Sequence, residues 1–437
     1  MADLAQRLSA GEYAGYAYAY PHKSAYRPFS PPVALRDAWA SEDRQRLFLY
    51  THLPFCEVRC GFCNLFTSVR PEQSFTQQTL RAILTQAEAV AAAIRPERVT
   101  QAAFGGGTPS FLSAGEIEWL FHQLAARWPV DWRRIPVSFE TSPATVDEEK
   151  LSVLRDLGVS RLSMGVQSFV PEELKALGRP QRTEDVERAC RWIRDASFPV
   201  FNLDLIYGAS GQTLETWLES LRRAIDVGPD EVYLYPLYVR ELTGLAKAAR
   251  KPSEHRRELY RAGRDLLLAA GFTQQSMRLF RSASLETPEV DYCCQGDGMI
   301  GLGPGARSYT RSLHYSSEYA VGQVGVRRII AAFNERERYD VADYGAELDT
   351  DEQRRRFVIK SLLRKPGLCF GDYAARFGSD FEADFAEVVA ALGELRLAAR
   401  TPTHLALTAL GLEHSDTIGP WLYSPRVQRA MADCELT

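Results

Sequence analysis

Between residues 45 and 240, short apolar runs alternate with longer segments of helical period. The runs at 46–53 (RLFLYTHL), 99–104 (VTQAAF), 136–141 (PVSFET), 161–168 (RLSMGVQS), 200–207 (VFNLDLIY) and 231–239 (EVYLYPLYV) are rich in β-branched and aromatic residues and read as strands. The segments between them read as helices. FTQQTLRAILTQAEAVAAAI is long and alanine-rich, SAGEIEWLFHQLAARW opens with a serine cap and a glutamate three residues later, and TEDVERACRWIRDA opens with a threonine cap. Strand–helix alternation repeated six times predicts an α/β fold of parallel strands joined by right-handed crossovers. A partial β/α barrel and an open doubly wound sheet both satisfy it.

The flanks differ. Residues 1–40 carry Tyr13, Tyr16, Tyr18, Tyr20 and Tyr26 among prolines without helical period, and predict an ordered aromatic arm lying across the main domain, 41–325. Residues 272–325 read as a loop-rich closure containing GLGPGARSY. Residues 340–430 read as a small α-rich domain with a short strand or two, in which the charge run EQRRRF is expected to be a solvated helix face.

Composition narrows the function classes. A net charge of −4 and a pI near 6.1 give no electrostatic footprint for nucleic acid or an anionic membrane. The opening MADLAQRLSAGEYAG lacks a signal pattern and no run of 18 apolar residues occurs, so a cytoplasmic protein with reduced thiols is expected.

Three of the eight cysteines, Cys56, Cys60 and Cys63, fall in THLPFCEVRCGFCNLF, directly after the first strand. The spacing is C-x3-C-x2-C. Structural zinc and ferredoxin-type clusters want four ligands, and the remaining cysteines (Cys190, Cys293, Cys294, Cys369, Cys434) lie far along the chain. A zinc site with a distant fourth ligand and an iron–sulfur site with an open position both remain. Strand ends are where active sites of parallel β/α folds are built, and other strand ends here carry suitable groups. The second ends in FGGGTP, whose glycines admit close backbone approach. The third ends near Glu140, a carboxylate that is costly in a cavity without a cation. The fourth carries Gln167, with Arg179 twelve residues on, and the fifth carries Asp204 in an apolar run. Each has a plainer reading as a turn, a cap or an ion pair.

The stretch YTHLPFCEVRCGFC resembles the cluster loop of the radical S-adenosylmethionine (SAM) superfamily, with Phe62 as the aromatic residue before the third cysteine. The lead-in HLPFC is similar to the branch of oxygen-independent coproporphyrinogen III oxidases and their relatives. The resemblance implies a partial (β/α)6 TIM-like barrel and a [4Fe-4S] cluster on the three cysteines. The open iron is then taken by SAM, which on one-electron reduction yields a radical that abstracts hydrogen from carbon. It implies first-SAM contacts at Tyr50, Gly106, Gly107, Thr108 and Glu140, second-SAM contacts at Gln167, Arg179 and Asp204, and places Phe62, Tyr238 and Arg307 among the SAM-binding residues as well. It also implies a small-molecule substrate and an electron donor such as flavodoxin or ferredoxin, and assigns no catalytic acid or base. His52 would orient the cluster loop or simply pack, and His22 and the arm tyrosines would pack or lid the site.

Several positions depart from the family. Arg307 replaces a histidine or apolar residue, Gln181 stands where an R-x-H motif has histidine, GASGQT lacks a proline, and Tyr238 stands where a smaller residue adjoins the second SAM. With Arg27, Arg281 and Arg307 forming no pattern that demands several propionates, the expected reaction is methyl or methylene transfer (methylation or cyclopropanation). Oxidative decarboxylation of a porphyrinogen and a non-enzymatic haem chaperone are the alternatives.

Overall fold

All six expected strands form, because each is a short β-branched or aromatic run that can be buried on both faces. The computed structural model describes residues 4–11, 13, 15–17, 19–285 and 296–434. It divides into two compact units: Arg27–Gly263 with Ser284–Glu347, and the N-terminal residues to Tyr26 with Arg264–Ala283 and Leu348–Cys434.

In the larger unit the strands are β1 (Arg27–Ala34), β2 (Leu47–Leu53), β3 (Val99–Gly106), β4 (Val137–Thr141), β5 (Arg161–Gln167), β6 (Val200–Tyr207), β7 (Glu231–Pro236), β8 (Met299–Leu302), β9 (Arg307–Tyr309), β10 (Leu313–Ser316) and β11 (Val341–Glu347). They run side by side in the order β1-β11-β10-β9-β8-β2-β3-β4-β5-β6-β7. Strands β2 to β7 are parallel and in chain order, as a partial barrel requires. A further parallel strand, β8, pairs with β2, and β9, β10 and β11 continue antiparallel. The loop-rich closure therefore also carries short strands. Its strands of three or four residues are too short to show a period.

The helices form where expected. Ser113 caps Ala114–Ala125 with a full capping box from Glu116. Thr183, by contrast, is the first residue of its helix, and Arg182 occupies the cap without a side-chain bond.

Along β4 to β7, strand alternation turns Ser138, Arg161, Ser163, Asn202, Asp204 and Glu231 to one interior face, where they bond to one another. At its base Arg161 Nε meets Glu231 Oε2 at 2.8 Å with both side chains buried. Arg161→Met leaves Glu231 as a buried charge without its partner. It is expected to lower the unfolding free energy by ~3–5 kcal/mol, read by urea denaturation. A change under ~1 kcal/mol would mean that water or rearrangement already satisfies the carboxylate.

The smaller unit corrects two expectations. The aromatic arm packs within this unit: Leu4, Ala17, Tyr20 and Ala25 share a core with Val358, Leu362, Tyr373 and Trp421. Residues 27–34 are instead strand β1 of the larger unit. Nor is EQRRRF a solvated face, since Glu352 and Arg356 are 1% and 2% exposed. Glu352 accepts hydrogen bonds from the Tyr20 hydroxyl and from Ser424 Oγ (2.6 Å), and Arg356 Nη1 donates to the Tyr20 carbonyl at 2.9 Å. The charges are buried because they anchor the arm. His22 caps a short 3-10 turn, and Tyr20 and Tyr26 are fully buried, so packing explains them. A three-stranded sheet (Leu368–Cys369, His404–Leu407, Ala398–Arg400) and the helix Thr350–Leu362 complete the unit.

Candidate active site

The cysteine loop begins where β2 ends. Phe55–Cys56 pairs in parallel with Ser68–Val69, which closes the intervening segment into a loop. The GGGTP turn is fastened to its start, with Gly107 N donating to Leu53 O at 2.9 Å and Thr108 N to Phe55 O at 2.7 Å. A side chain at Gly107 would place its Cβ 2.4 Å from Phe55 O, so only glycine permits this approach. Thr108 Oγ1 lies 3.5 Å from Cys56 Sγ, and Arg179 Nη1 donates to Cys60 Sγ at 3.2 Å. All three thiols are free, with Cys56 and Cys60 buried and Cys63 half-buried. Burial pushes the Cys56 thiol up to about 12, against the hydrogen bond from Thr108, and burial raises Cys63 as well. Among the described residues, no three His, Cys, Asp or Glu side chains converge as ligands of a single ion do. A four-iron cluster sets each thiolate on its own iron and makes no such demand.

Beside the GGGTP turn, Glu140 keeps exposed surface although protein surrounds it, so it faces an internal cavity. Its carboxylate accepts the Gly106 N–H at 3.2 Å and has no ion-pair partner among the described residues. Desolvation, then the neighbouring Asp204 carboxylate, pushes Glu140 up to about 7. A Cβ on Gly105 would stand 2.9 Å from that carboxyl group. Half-buried Asp204 accepts from Asn202 Nδ2 at 2.8 Å and Ser163 Oγ at 3.5 Å, again without a direct cation. Burial raises its pKa too. A buried cation, Arg161, attracts both carboxylates but is itself ion-paired to Glu231, so the pair still suits a cationic ligand.

The structure brings most of the sequence candidates to this end of the strands. Tyr50, on β2, shares a hydrogen bond with His52 Nδ1 at 3.3 Å, and His52 Nε2 reaches Phe66 O at 3.3 Å, so His52 ties the strand to the cysteine loop. Gln167 takes φ of +71° at an irregularity in the β5–β6 register. That is a strained conformation of the kind that clusters at functional sites. Arg179 also donates to Gly165 O (2.5 Å) and Gln181 Oε1 (2.8 Å), while Gln181 Nε2 holds Val166 O at 2.9 Å. The glutamine of the altered R-x-Q motif thus orients the arginine. Phe62 packs against the cluster of Leu177, Ile206 and Leu237. Tyr238, beyond β7, lies under the Arg240 guanidinium at 4.7 Å, and Arg307 lies over Tyr309 at 6.0 Å. Arg27 sits on β1 and Arg281 belongs to the smaller unit. Cys190 is buried in its helix, and Cys293 and Cys294 lie outside the described residues.

Other residues that matter here escaped the sequence. Gly61 N donates to Gly178 O (3.0 Å) and Gly61 O accepts from Leu245 N (2.8 Å), so the middle of the cysteine loop is clasped by two backbones. Its own glycine, between Cys60 and Cys63, was the available signal. A Cβ at Gly61 would meet Leu177 O at 2.9 Å. Gly61→Ala is expected to cost ~1–3 kcal/mol and to lower the iron held after anaerobic reconstitution. Full iron content with an unchanged melting temperature would show that the clasp is dispensable.

Comparison with known proteins agrees with this geometry. Residues 50–224 match the radical SAM superfamily and residues 348–414 the HemN C-terminal domain. The chain is 28% identical over 418 residues to the oxygen-independent coproporphyrinogen III oxidase of Pseudomonas aeruginosa, covering 89% of this chain and 87% of that protein. It is 30% identical over 263 residues to the heme chaperone HemW of Escherichia coli, covering 60% of this chain and 69% of that one. Its fold matches the solved coproporphyrinogen III oxidase of E. coli with a TM-score of 0.76 at 24% identity, over 88% of this chain and 92% of that one. The chain belongs to the radical SAM superfamily, in the branch of the oxygen-independent coproporphyrinogen III oxidases and their relatives, and its cofactors are a [4Fe-4S] cluster and SAM.

Proposed function

We propose that this protein cleaves SAM reductively and oxidatively decarboxylates a carboxylate-bearing tetrapyrrole, in the manner named for its oxidase relatives. The observation that carries the reading is the meeting, at one end of the strands, of three free thiols and two neighbouring carboxylates that form no ion pair of their own among the described residues. Relatives that span most of both chains include oxidases at 28% identity and, at 25%, the heme chaperone HemW of Bacillus subtilis; the higher identity of the oxidases favours decarboxylation. Methyl or methylene transfer, the reaction expected from the altered motifs, has no support in these relatives.

Cys56, Cys60 and Cys63 hold the cluster, while Gly106, Gly107, Thr108 and Glu140 hold SAM, with Tyr50 at its edge. Gln167, Arg179 and Asp204 are assigned to a second SAM, whose space Tyr238 narrows. When bound, the cluster and SAM supply reductive cleavage of a sulfonium carbon–sulfur bond and a carbon-centred radical able to take hydrogen. The chain's part is to orient and enclose. Glu140 offers charge to the sulfonium end, Arg179 fixes the Cys60 side of the loop, and the clasp at Gly61 keeps the loop shut against water. The reductant is assigned to a small electron carrier of the flavodoxin or ferredoxin kind. Among the described residues no helix is long and apolar enough to cross a membrane.

Incubating the reconstituted protein anaerobically with reductant, SAM and coproporphyrinogen III tests the reading. Release of carbon dioxide with 5′-deoxyadenosine supports it. Transfer of label from methyl-labelled SAM to the tetrapyrrole would contradict it, as would stoichiometric haem binding without substrate-dependent SAM cleavage.

A further inference from the structure

Each of the three thiols has a hydrogen-bonding neighbour, and the neighbours differ in charge. Cys56 Sγ lies 3.5 Å from the Thr108 hydroxyl, and Cys63 is bonded by the backbone of Leu65, both neutral groups. Cys60 Sγ instead accepts from Nη1 of Arg179 at 3.2 Å. Arg59, the other arginine at the loop, reaches the Cys63 carbonyl at 3.5 Å and donates to Val321 O. The backbone fixes the Cys60 pairing: Gly61, next to Cys60, donates its N–H to the carbonyl of Gly178, next to Arg179, at 3.0 Å. The other guanidinium nitrogens are held as well, Nη2 on Gly165 O at 2.5 Å and Nε on Gln181 Oε1 at 2.8 Å. Gln181 is anchored in turn, its Nε2 donating to Val166 O at 2.9 Å. The acceptors around Arg179 are thus a carbonyl, an amide and a sulfur, and it meets no carboxylate among the described residues. A half-buried, uncancelled positive charge is aimed at a buried sulfur.

We propose that Arg179 raises the reduction potential of the cluster through its hydrogen bond to the Cys60 thiolate, and that Gln181 is the positioning residue that aims it. Adding an electron to a thiolate-bound cluster adds negative charge, and hydrogen bonds to the sulfurs stabilise that charge. A charged donor does so about twice as strongly as a neutral one, and partial desolvation keeps its field from being screened as in water. Thr108 and the Leu65 backbone therefore contribute less than Arg179. The arginine also keeps its charge at every working pH. The altered R-x-Q motif acquires a reason: an amide braces the guanidinium without titrating near neutrality, as histidine does, and without cancelling its charge, as a carboxylate does. The guanidinium has N–H groups to spare, so its assignment to a second SAM is compatible with this role. The inference rests on the cluster and is independent of the tetrapyrrole reading.

The test is a potentiometric titration of reconstituted holoprotein with dithionite, without SAM or substrate, followed by the EPR signal of the reduced cluster. Iron is counted first in every variant. Arg179→Gln is expected to lower the one-electron reduction constant ~10-fold, a fall in potential of about 59 mV. Arg179→Lys, which keeps a charge but not the fork, is expected to recover part of it. A residue that only braces the loop predicts less iron or a lower melting temperature at an unchanged potential, and that result would overturn the proposal. An unchanged potential with weaker SAM binding would overturn it too, since Arg179 would then serve SAM alone. Where Arg179→Gln holds no iron, Gln181→Ala decides, because it spares the arginine and removes its brace. A potential below wild type then supports the role, and an unchanged one overturns it. A wild type that assembles no four-iron cluster removes the cofactor and this role together.

Discussion

Cys60→Ala gives a folded protein that assembles no four-iron cluster and cleaves no SAM. Each thiolate of such a cluster binds a different iron, so none of the three is redundant. The described residues also offer no nearby substitute: Cys190 is buried in a separate helix, and Cys369 and Cys434 belong to the smaller unit. Removing one small buried thiol is expected to cost only ~1 kcal/mol, so the loss is one of chemistry and not of fold. Burial raises the Cys56 and Cys63 thiols, so in the metal-free protein they are protonated near neutral pH and must release protons as iron binds. Cluster assembly is accordingly expected to be faster at higher pH. Iron and sulfide analysis, with 5′-deoxyadenosine measured after reduction, checks both statements. A variant that keeps its iron and its SAM cleavage would show that the ligand set is wrong.

Glu140→Gln is expected to weaken SAM about 10- to 100-fold, the cost of removing a charged hydrogen-bonding partner, while stabilising the cofactor-free protein. The second effect follows from proton linkage. The folded-state pKa of about 7 lies above the ordinary carboxylate range. In the window between them the folded protein therefore holds a proton the unfolded chain has released. Stability falls as pH rises through that window, and the whole penalty stands above it. Solvent in the cavity reduces the size of the effect and not its sign, since Glu140 retains exposed surface. Glutamine removes the penalty, so the variant's gain in melting temperature is expected to be larger at pH 8 than at pH 5. An unchanged SAM affinity, or a melting temperature below wild type at pH 8, would contradict the assignment. The trade of stability against binding is what a cavity built for a cation requires.

Much of this site was visible in the sequence because its parts are local. Each of the six strands is a contiguous β-branched or aromatic run, and the cysteine triplet, the GGGTP turn and Glu140 sit at or near strand ends, where parallel folds place their chemistry. What escaped depends on distant residues meeting. Gly61 and Gly178 are ordinary turn glycines until their backbones touch, with a Cβ at Gly178 falling 3.0 Å from Gly61 Cα. Glu352 and Arg356 belong to a charge run that would ordinarily face water, and only the arm folding back through Tyr20 buries them. Strands β8, β9 and β10 are only three or four residues long, so pairing and not pattern defines them.

One measurement tests the radical chemistry of this protein most directly. The protein is purified and reconstituted without oxygen, its iron and sulfide are counted, and dithionite-driven SAM cleavage is followed by chromatography. The structure's three thiols and cation-seeking cavity predict one four-iron cluster per chain and 5′-deoxyadenosine with methionine released together. Zinc held in place of iron under those conditions, or a full cluster that never cleaves SAM with reductant and coproporphyrinogen supplied, would contradict it.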